Sequence, residues 1–202
     1  MNIENLAVAM GAKNYAVALG LSCRNWGISA PGDQARFIAQ LAVESGGFKR
    51  VEENLRYSAT RLTQVFGKRN GLTPAIAAQV AAAGPRAVAN FIYGGEWGRK
   101  NLGNVEPDDG WNFRGRSLIQ TTGRENYRAT SIGCWGDLRL LDDPDLLLLP
   151  DNAAWVAGWF WYSRRLNGVT DVAEITRKIN GGSNHLAERR AATERALRLV
   201  TQ

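Results

Sequence analysis

The chain has 202 residues, 45% of them apolar and 22% charged, with a formal net charge of +6. These figures are ordinary for a folded protein and exclude intrinsic disorder, collagen-like repeats and a disulfide scaffold. The length suits one domain over residues 1–202, with a small helical lobe around 66–95. Residues 1–20 open with Glu4 rather than a basic cluster, and Gly11, Lys13 and Asn14 break their apolar run. The stretch reads as an amphipathic helix and not as a cleaved signal. In residues 33–45, Phe37, Ile38, Leu41 and Ala42 fall on one stripe of a core-facing helix, which Gly46 and Gly47 stop. A short helix fits 58–66 with Ser58 as its N-cap. Two more fit 74–83 and 85–93, opened by Pro74 and Pro85.

Residues 94–112 are rich in Gly, Asn, Asp and Pro and read as loop. A short helix is expected at 124–131. The strongest helical signal is 151–165, with Asp151 as cap and Trp155, Val156, Trp159 and Phe160 as its apolar stripe. Helices near 170–179 and 185–200 follow. Strand signals are weak, and only 112–121 suits a short ribbon. The expected class is therefore mainly α. No stretch approaches the roughly 20 apolar residues that span a bilayer.

Charge is uneven along the chain. Residues 164–202 hold 8 basic and 4 acidic groups, so the C-terminal end is the basic one. It reads as a solvated helix face or as a surface for a polyanion such as nucleic acid, anionic lipid or an acidic cell wall. Cys23 and Cys134 cannot build a disulfide framework or a four-ligand zinc site; they are free thiols or one bridge. His185 is the single histidine, which leaves no histidine-rich metal site, and no metal or cofactor is expected. There is no P-loop, dinucleotide fingerprint or nucleophile elbow.

Glu44 carries the most information. Helical spacing sets it three residues after Leu41, on the apolar face at the last turn before Gly46 and Gly47. A carboxyl against apolar surface loses hydration, so its neutral form is favoured and it can serve as a general acid. The helix C-terminus works in the same direction. Read alone, it is equally a boundary glutamate that snorkels to water. Glu52 and Glu53 lie beyond the glycine break and can face Glu44 across a gap, the minimum arrangement for glycoside hydrolysis, or be surface charges near Lys49, Arg50 and Arg56. Residues 112–127 mix glycines, arginines, amides and hydroxyls. Gln120, Thr121, Thr122 and Asn126 there suit a sugar or a water, and Asn180 with Gly181 and Gly182 forms a second amide-and-glycine turn. Trp97 and Trp111 sit in loop-like sequence and could stack on sugar rings, whereas Trp155, Trp159 and Trp161 read mostly as core.

Taken in order, AQLAVESGGF, ENLRYSA, DGWNFRGRSLIQTTGRENY, AAWVAGWFWYSRRLN and ITRKINGG resemble the glycoside hydrolase family 19 catalytic domain, and most of all its single-domain phage endolysins. The resemblance runs from about residue 33 to 198. It implies a lysozyme-like, mainly α fold with minor β and a substrate cleft between two lobes. It implies inverting cleavage of β-1,4-linked N-acetylated amino sugars without a metal. Glu44 then matches the general acid, and Glu53 the general base, with Glu52 as fallback. Thr122 matches the hydroxyl that holds the attacking water. Gln120, Asn126 and Asn180 match amides that line the cleft, and Arg189 an arginine that supports the carboxylates. Trp111 joins the substrate-binding set. Inversion requires carboxyls roughly 6.5–9.5 Å apart. Two departures stand out: Val43 replaces a histidine before the acid, and Ser117 replaces the second glycine of a GRG triplet.

The expected function is an endolysin-type glycosidase acting as a monomer on peptidoglycan glycan strands. It would be made in a host cytoplasm without a signal peptide and released to the periplasmic wall by a holin-type partner. The basic C-terminal helix could meet an anionic membrane or wall. Alternatives are a chitinase, an interbacterial effector with the same chemistry, and an inactive sugar-binding module. A nucleic-acid binder would need a basic recognition helix or an aromatic–basic motif, and neither is present.

Overall fold

The computed structural model describes residues 1–201. It is mainly α, the class expected. Thirteen α-helices are found among the described residues, and the only β pairing there is two isolated antiparallel bridges, Glu52 with Arg116 and Arg116 with Thr121. The chain forms two compact units. The first comprises Met1–Val51, Ser117–Gln120 and the chain from Leu146 onward; the second comprises Glu52–Arg116 and Thr121–Asp145.

In the first unit the N-terminal stretch is two helices rather than the one expected. Helix α1 (Ile3–Ala9) is capped by the Asn2 side chain, which accepts from the Asn5 N–H at 2.8 Å. Gly11, at φ +99°, turns the chain into a 3-10 turn and then α2 (Ala16–Asn25). That backbone conformation suits glycine and would strain other residues, so the turn is encoded at Gly11. Helix α3 (Pro31–Glu44) follows the apolar stripe: Phe37, Ile38 and Leu41 are buried. It ends where Gly46 and Gly47 take positive φ, and the Gly47 N–H donates to the Ala42 carbonyl at 2.6 Å. Ser45 holds the stop from both sides: its hydroxyl donates to the Leu41 carbonyl and accepts from the Phe48 N–H.

Three later helices complete this unit: α11 (Pro150–Ser163), α12 (Val172–Asn180) and α13 (Leu186–Val200). Asp151 does not cap α11; Leu149 occupies the cap position, and Asp151 sits in the first turn as an acidic residue at the positive helix end. The buried stripe also differs from expectation. Val156 is buried as expected, together with Ala153, Ala154, Ala157 and Trp161, while Trp155, Trp159 and Phe160 are half-buried. Small residues decide this, because they let α2 come close. A side chain at Gly158 would overlap the Ser22 hydroxyl, which instead donates to the Ala154 carbonyl at 2.8 Å. Trp161 meets Phe37 edge-on at 5.4 Å, and its indole N–H donates to Asn167. Such a ring pair adds about 0.5–1.5 kcal/mol beyond its buried area. Helix α13 packs along α3.

The second unit holds α4 (Ala59–Phe66), α5 (Pro74–Ala82), α6 (Pro85–Tyr93), α7 (Gly95–Leu102), α8 (Asp109–Asn112), α9 (Arg124–Trp135) and α10 (Arg139–Asp142). Helices α4 to α6 match the expected spans, and the Ser58 hydroxyl accepts from the Arg61 N–H at 3.2 Å as the predicted cap. The segment 94–112, expected as loop, instead carries α7 and α8. Tertiary contacts override its poor helix propensity. A side chain at Gly98 would collide with the Tyr93 carbonyl, so glycine there permits a tight α6–α7 corner. The Asn70 amide braces that corner by donating to the carbonyls of Phe91 and Gly94. Buried Asp109 accepts from the N–H groups of Val105 and Glu106 and pairs with Arg124. Leu62, Leu72, Val88 and Ile92 form the core of this unit.

Candidate active site

Within the first unit, the last residue of α3 meets α13. Arg189, which is 2% exposed, donates its Nη2 to Glu44 Oε1 at 2.5 Å. Its Nη1 donates to Gln40 Oε1 at 2.6 Å, and its Nε to the Asn184 carbonyl at 3.1 Å. All three arms of the guanidinium are therefore fixed. Gln40 lies one helical turn before Glu44, so α3 presents both to the same arginine. The expectation of a carboxyl against purely apolar surface is corrected here: a buried cation stands beside Glu44. Asn180 belongs to the same cluster through its turn. Its amide donates to the Asn184 carbonyl at 3.2 Å, and its Oδ1 accepts from the Gly182 N–H. Gly181, at φ +75°, closes α12 there.

Gln120 ends the short 117–120 segment of this unit. Its backbone has φ +54°, and its side-chain amide donates to the Ser117 carbonyl at 3.2 Å. Ser117 itself is buried at φ +71°, the conformation that a glycine would favour. The departure noted in the GRG triplet thus falls on a left-handed residue.

Within the second unit, Glu53 is the carboxyl that the fold holds in place. Its Oε2 accepts from the Tyr93 hydroxyl at 2.8 Å and its Oε1 from the Gly115 N–H at 2.5 Å. The Glu53 N–H donates in turn to the Gly115 carbonyl at 3.0 Å. Burial pushes the Glu53 carboxyl above the usual range, against the opposing pull of the Gly115 N–H, the Tyr93 hydroxyl, Arg114 and Arg116. Tyr93 shows the reciprocal effect: burial and the neighbouring Glu53 push its phenol far up. Glu52 has a different role. It is paired with Arg114, which donates to its Oε1 from Nε at 2.6 Å and also from Nη2. The residue that the resemblance held in reserve is thus committed to a salt bridge.

Thr122 follows the Arg116–Thr121 bridge and is half-buried. The exposed Asn126 donates its amide to the Thr122 carbonyl at 2.7 Å, which fixes this turn. Trp111 packs on the core of this unit, and the Arg114 guanidinium lies 4.0 Å from its ring centroid. Trp97 carries Arg69 at 3.5 Å in the same way. The ring face that each shows its arginine is taken up by that cation. Cys23 and Cys134 are not joined by a disulfide, and burial pushes the Cys23 thiol up to about 12. His185 is exposed and stands beside Glu188 at 3.4 Å.

Gln40 and Tyr93 were not picked out by sequence reasoning. The first has a helical-period signal, four residues before Glu44. The second has none, because it meets Glu53 from 40 positions away.

No family model matches the chain. A Haemophilus influenzae protein described as a glycosyl hydrolase family 19 domain-containing protein is 38% identical over 156 residues, which cover 77% of this chain and 74% of that protein. That span and identity place the chain in glycosyl hydrolase family 19, and its helical class agrees.

Proposed function

We propose that the chain is an endolysin-type glycosidase that hydrolyses β-1,4 bonds of bacterial peptidoglycan with inversion. The observation that carries this reading is Glu53. It is a half-buried carboxyl with both oxygens oriented by fixed donors and a proton affinity raised above that of an ordinary glutamate by desolvation. Such a group is a better base than a solvated one and is already aimed. Glu44 donates a proton to the bridging oxygen as the bond from that oxygen to the sugar C1 breaks. Glu53 takes a proton from the water whose oxygen bonds to C1, and the Thr122 hydroxyl helps hold that water. Asn126 fixes the Thr122 turn and is one of the amides that line the cleft. Gln120, Asn180 and Trp111 contact the glycan, and Arg189 aims Glu44. Solvent then restores both carboxyls.

Release to the wall by a holin-type partner and action as a monomer belong to the same reading. On α13, Arg190, Arg195 and Arg198 are exposed, and Glu188 and Glu194 are exposed on the same helix. An anionic surface would meet those three arginines and not Arg189, which is buried against Glu44.

One observation favours a second assignment of roles. Of the two carboxyls, Glu44 is the one with a guanidinium against it, and Glu53 the one that burial pushes toward its protonated form. On that basis Glu53 would be the acid. Aryl glycosides with good leaving groups separate the two, because removal of the acid spares such substrates and removal of the base does not. Turnover of them by Glu44→Gln but not Glu53→Gln assigns Glu44 as acid; the reverse exchanges the roles.

The substrate is tested by digesting purified peptidoglycan and chitin oligomers and identifying the new reducing-end sugar by mass spectrometry. Muropeptides with a new reducing end support the reading. Consumption of chitin oligomers alone replaces it with chitinase. No product from either polymer leaves an inactive sugar-binding module.

A further inference from the structure

We propose that the groove between α2 and α11 is a second glycan-binding site, which holds a strand of N-acetylated amino sugars while another part of that strand is cleaved. The proposal rests on the reading that such a glycan is the substrate. The groove has a volume of about 530 Å³ and is lined by Ala18, Leu21, Arg24, Asn25, Asp151 and Trp155. That size is typical of small-ligand sites. It shares no residue with the Glu44–Arg189 cluster.

The lining chemistry selects the ligand. Trp155 is held by Trp26 at a ring-centroid distance of 5.4 Å, and Trp26 is in turn 5.6 Å from Tyr162. An indole fixed in this way loses little freedom on binding. Its negative π-face attracts the weakly positive C–H face of a pyranose ring. Leu21, which is 53% exposed, and Ala18 offer an apolar floor for an acetyl methyl. Asn25 and Asp151 are exposed, and among the described residues neither side chain has a hydrogen-bond or ion-pair partner. The Asn25 amide can donate and accept, as an acetamido group requires, and the Asp151 carboxylate can accept from two hydroxyls. Arg24 completes the rim and is held there by Glu4 at 2.9 Å. One cation, one anion and one amide give mixed donors and acceptors with little net charge. This suits a hydroxyl-rich neutral chain and disfavours a polyanion or an anionic lipid surface.

The test uses the full chain carrying Glu44→Gln, so that bound polymer is not degraded. Co-sedimentation is measured with purified peptidoglycan sacculi and with chitin. Adding Trp155→Ala is expected to weaken binding at least tenfold. The exposed pair Asn25→Ala and Asp151→Ala, whose folding is checked by its melting curve, is expected to weaken it about fivefold. With Glu44 intact, the pair should lower the rate on insoluble polymer and leave the rate on short soluble oligosaccharides unchanged. Binding to sacculi and chitin unaltered by either set overturns the proposal, as does failure of the Glu44→Gln protein to sediment with either polymer. If the wild-type chain cleaves neither polymer but the groove variants lose binding, the groove stands and the hydrolase reading falls. If cleavage is found and the groove variants bind normally, only the groove falls.

Discussion

Arg189 ties the last residue of α3 to α13: its Nη2 lies 2.5 Å from Glu44 Oε1, and its Nη1 lies 2.6 Å from Gln40 Oε1. A guanidinium is planar, so fixing one arm fixes the other. The position of the Glu44 carboxyl is therefore set by a side chain that itself has almost no contact with water.

Glu44→Gln keeps an oxygen to accept from Arg189 and loses the carboxyl's charge and its proton chemistry. The variant is expected to fold and to lose all measurable turnover on sacculi, checked by circular dichroism and by release of reducing ends. Retained turnover in the folded variant removes Glu44 from the reaction. Arg189→Leu, by contrast, strips a charge partner from a carboxyl only 17% exposed. It is expected to lower stability by about 3 kcal/mol in urea titration.

Gln40→Met tests the link behind that pair. Gln40 is fully buried, and its Nε2 has no hydrogen-bond partner among the described residues. Methionine removes an acceptor that Arg189 uses together with a donor that is left unsatisfied, so the stability cost should be modest, about 1–2 kcal/mol. The rate effect should be larger. A loosened Arg189 misplaces Glu44, and kcat is expected to fall about tenfold with KM little changed. Steady-state kinetics checks this, and Gln40→Glu, which keeps an acceptor for Nη1, should recover part of kcat. A change in KM alone would contradict the positioning role.

Tyr93→Phe removes a hydrogen bond that favours the ionised form of Glu53. With burial unopposed there, Glu53 should titrate higher still. If Glu53 is the base, the acidic limb of the kcat/KM profile moves to higher pH; if it is the acid, the alkaline limb moves instead. Stability carries a matching sign. Because the folded carboxyl is raised above its unfolded value, the native state binds more protons than the unfolded one above about pH 4.5. Its contribution is complete below the unfolded pKa and is lost as pH rises through the folded one. Glu53→Gln should therefore gain in stability relative to wild type as pH rises through that window, measured as urea midpoints in a pH series. A constant difference would show that Glu53 is not raised.

The contrast between Glu44 and Glu53 shows what a sequence exposes. The placing of Glu44 is legible, because a stripe of Phe37, Ile38 and Leu41 and a double glycine define both the helix face and its end. So are the prolines that open α5 and α6. Both signals are local. The Glu53–Tyr93 contact joins residues whose neighbourhoods carry no shared pattern, and its partner could not be named beforehand. The two helices within 94–112 were hidden for a related reason. Glycines and asparagines there lower helix propensity, yet Gly98 and Asn70 are what allow the α6–α7 corner to close. The apolar stripe of α11 was misplaced because bulky tryptophans mark hydrophobicity, whereas close packing on α2 requires Ala154 and Gly158. Arg189 looked like part of a basic surface by composition; only the resemblance linked it to the carboxyls.

Ser117 offers a test of strain at the short 117–120 segment. It is fully buried with φ +71°, and its hydroxyl accepts only a long 3.3 Å bond from the Ile119 N–H. A left-handed conformation costs a non-glycine residue roughly 1–2 kcal/mol. Glycine removes that cost but adds backbone freedom to the unfolded chain, which returns part of the gain, roughly 0.4–1 kcal/mol. Ser117→Gly is therefore expected to raise stability by about 0.5–1 kcal/mol. Ser117→Val, branched at Cβ and without the hydroxyl, should lower it by about 2 kcal/mol or more. Chemical denaturation of the two variants beside wild type checks both signs. If glycine destabilises, the weak Ser117–Ile119 bond contributes more to this turn than the strain takes away.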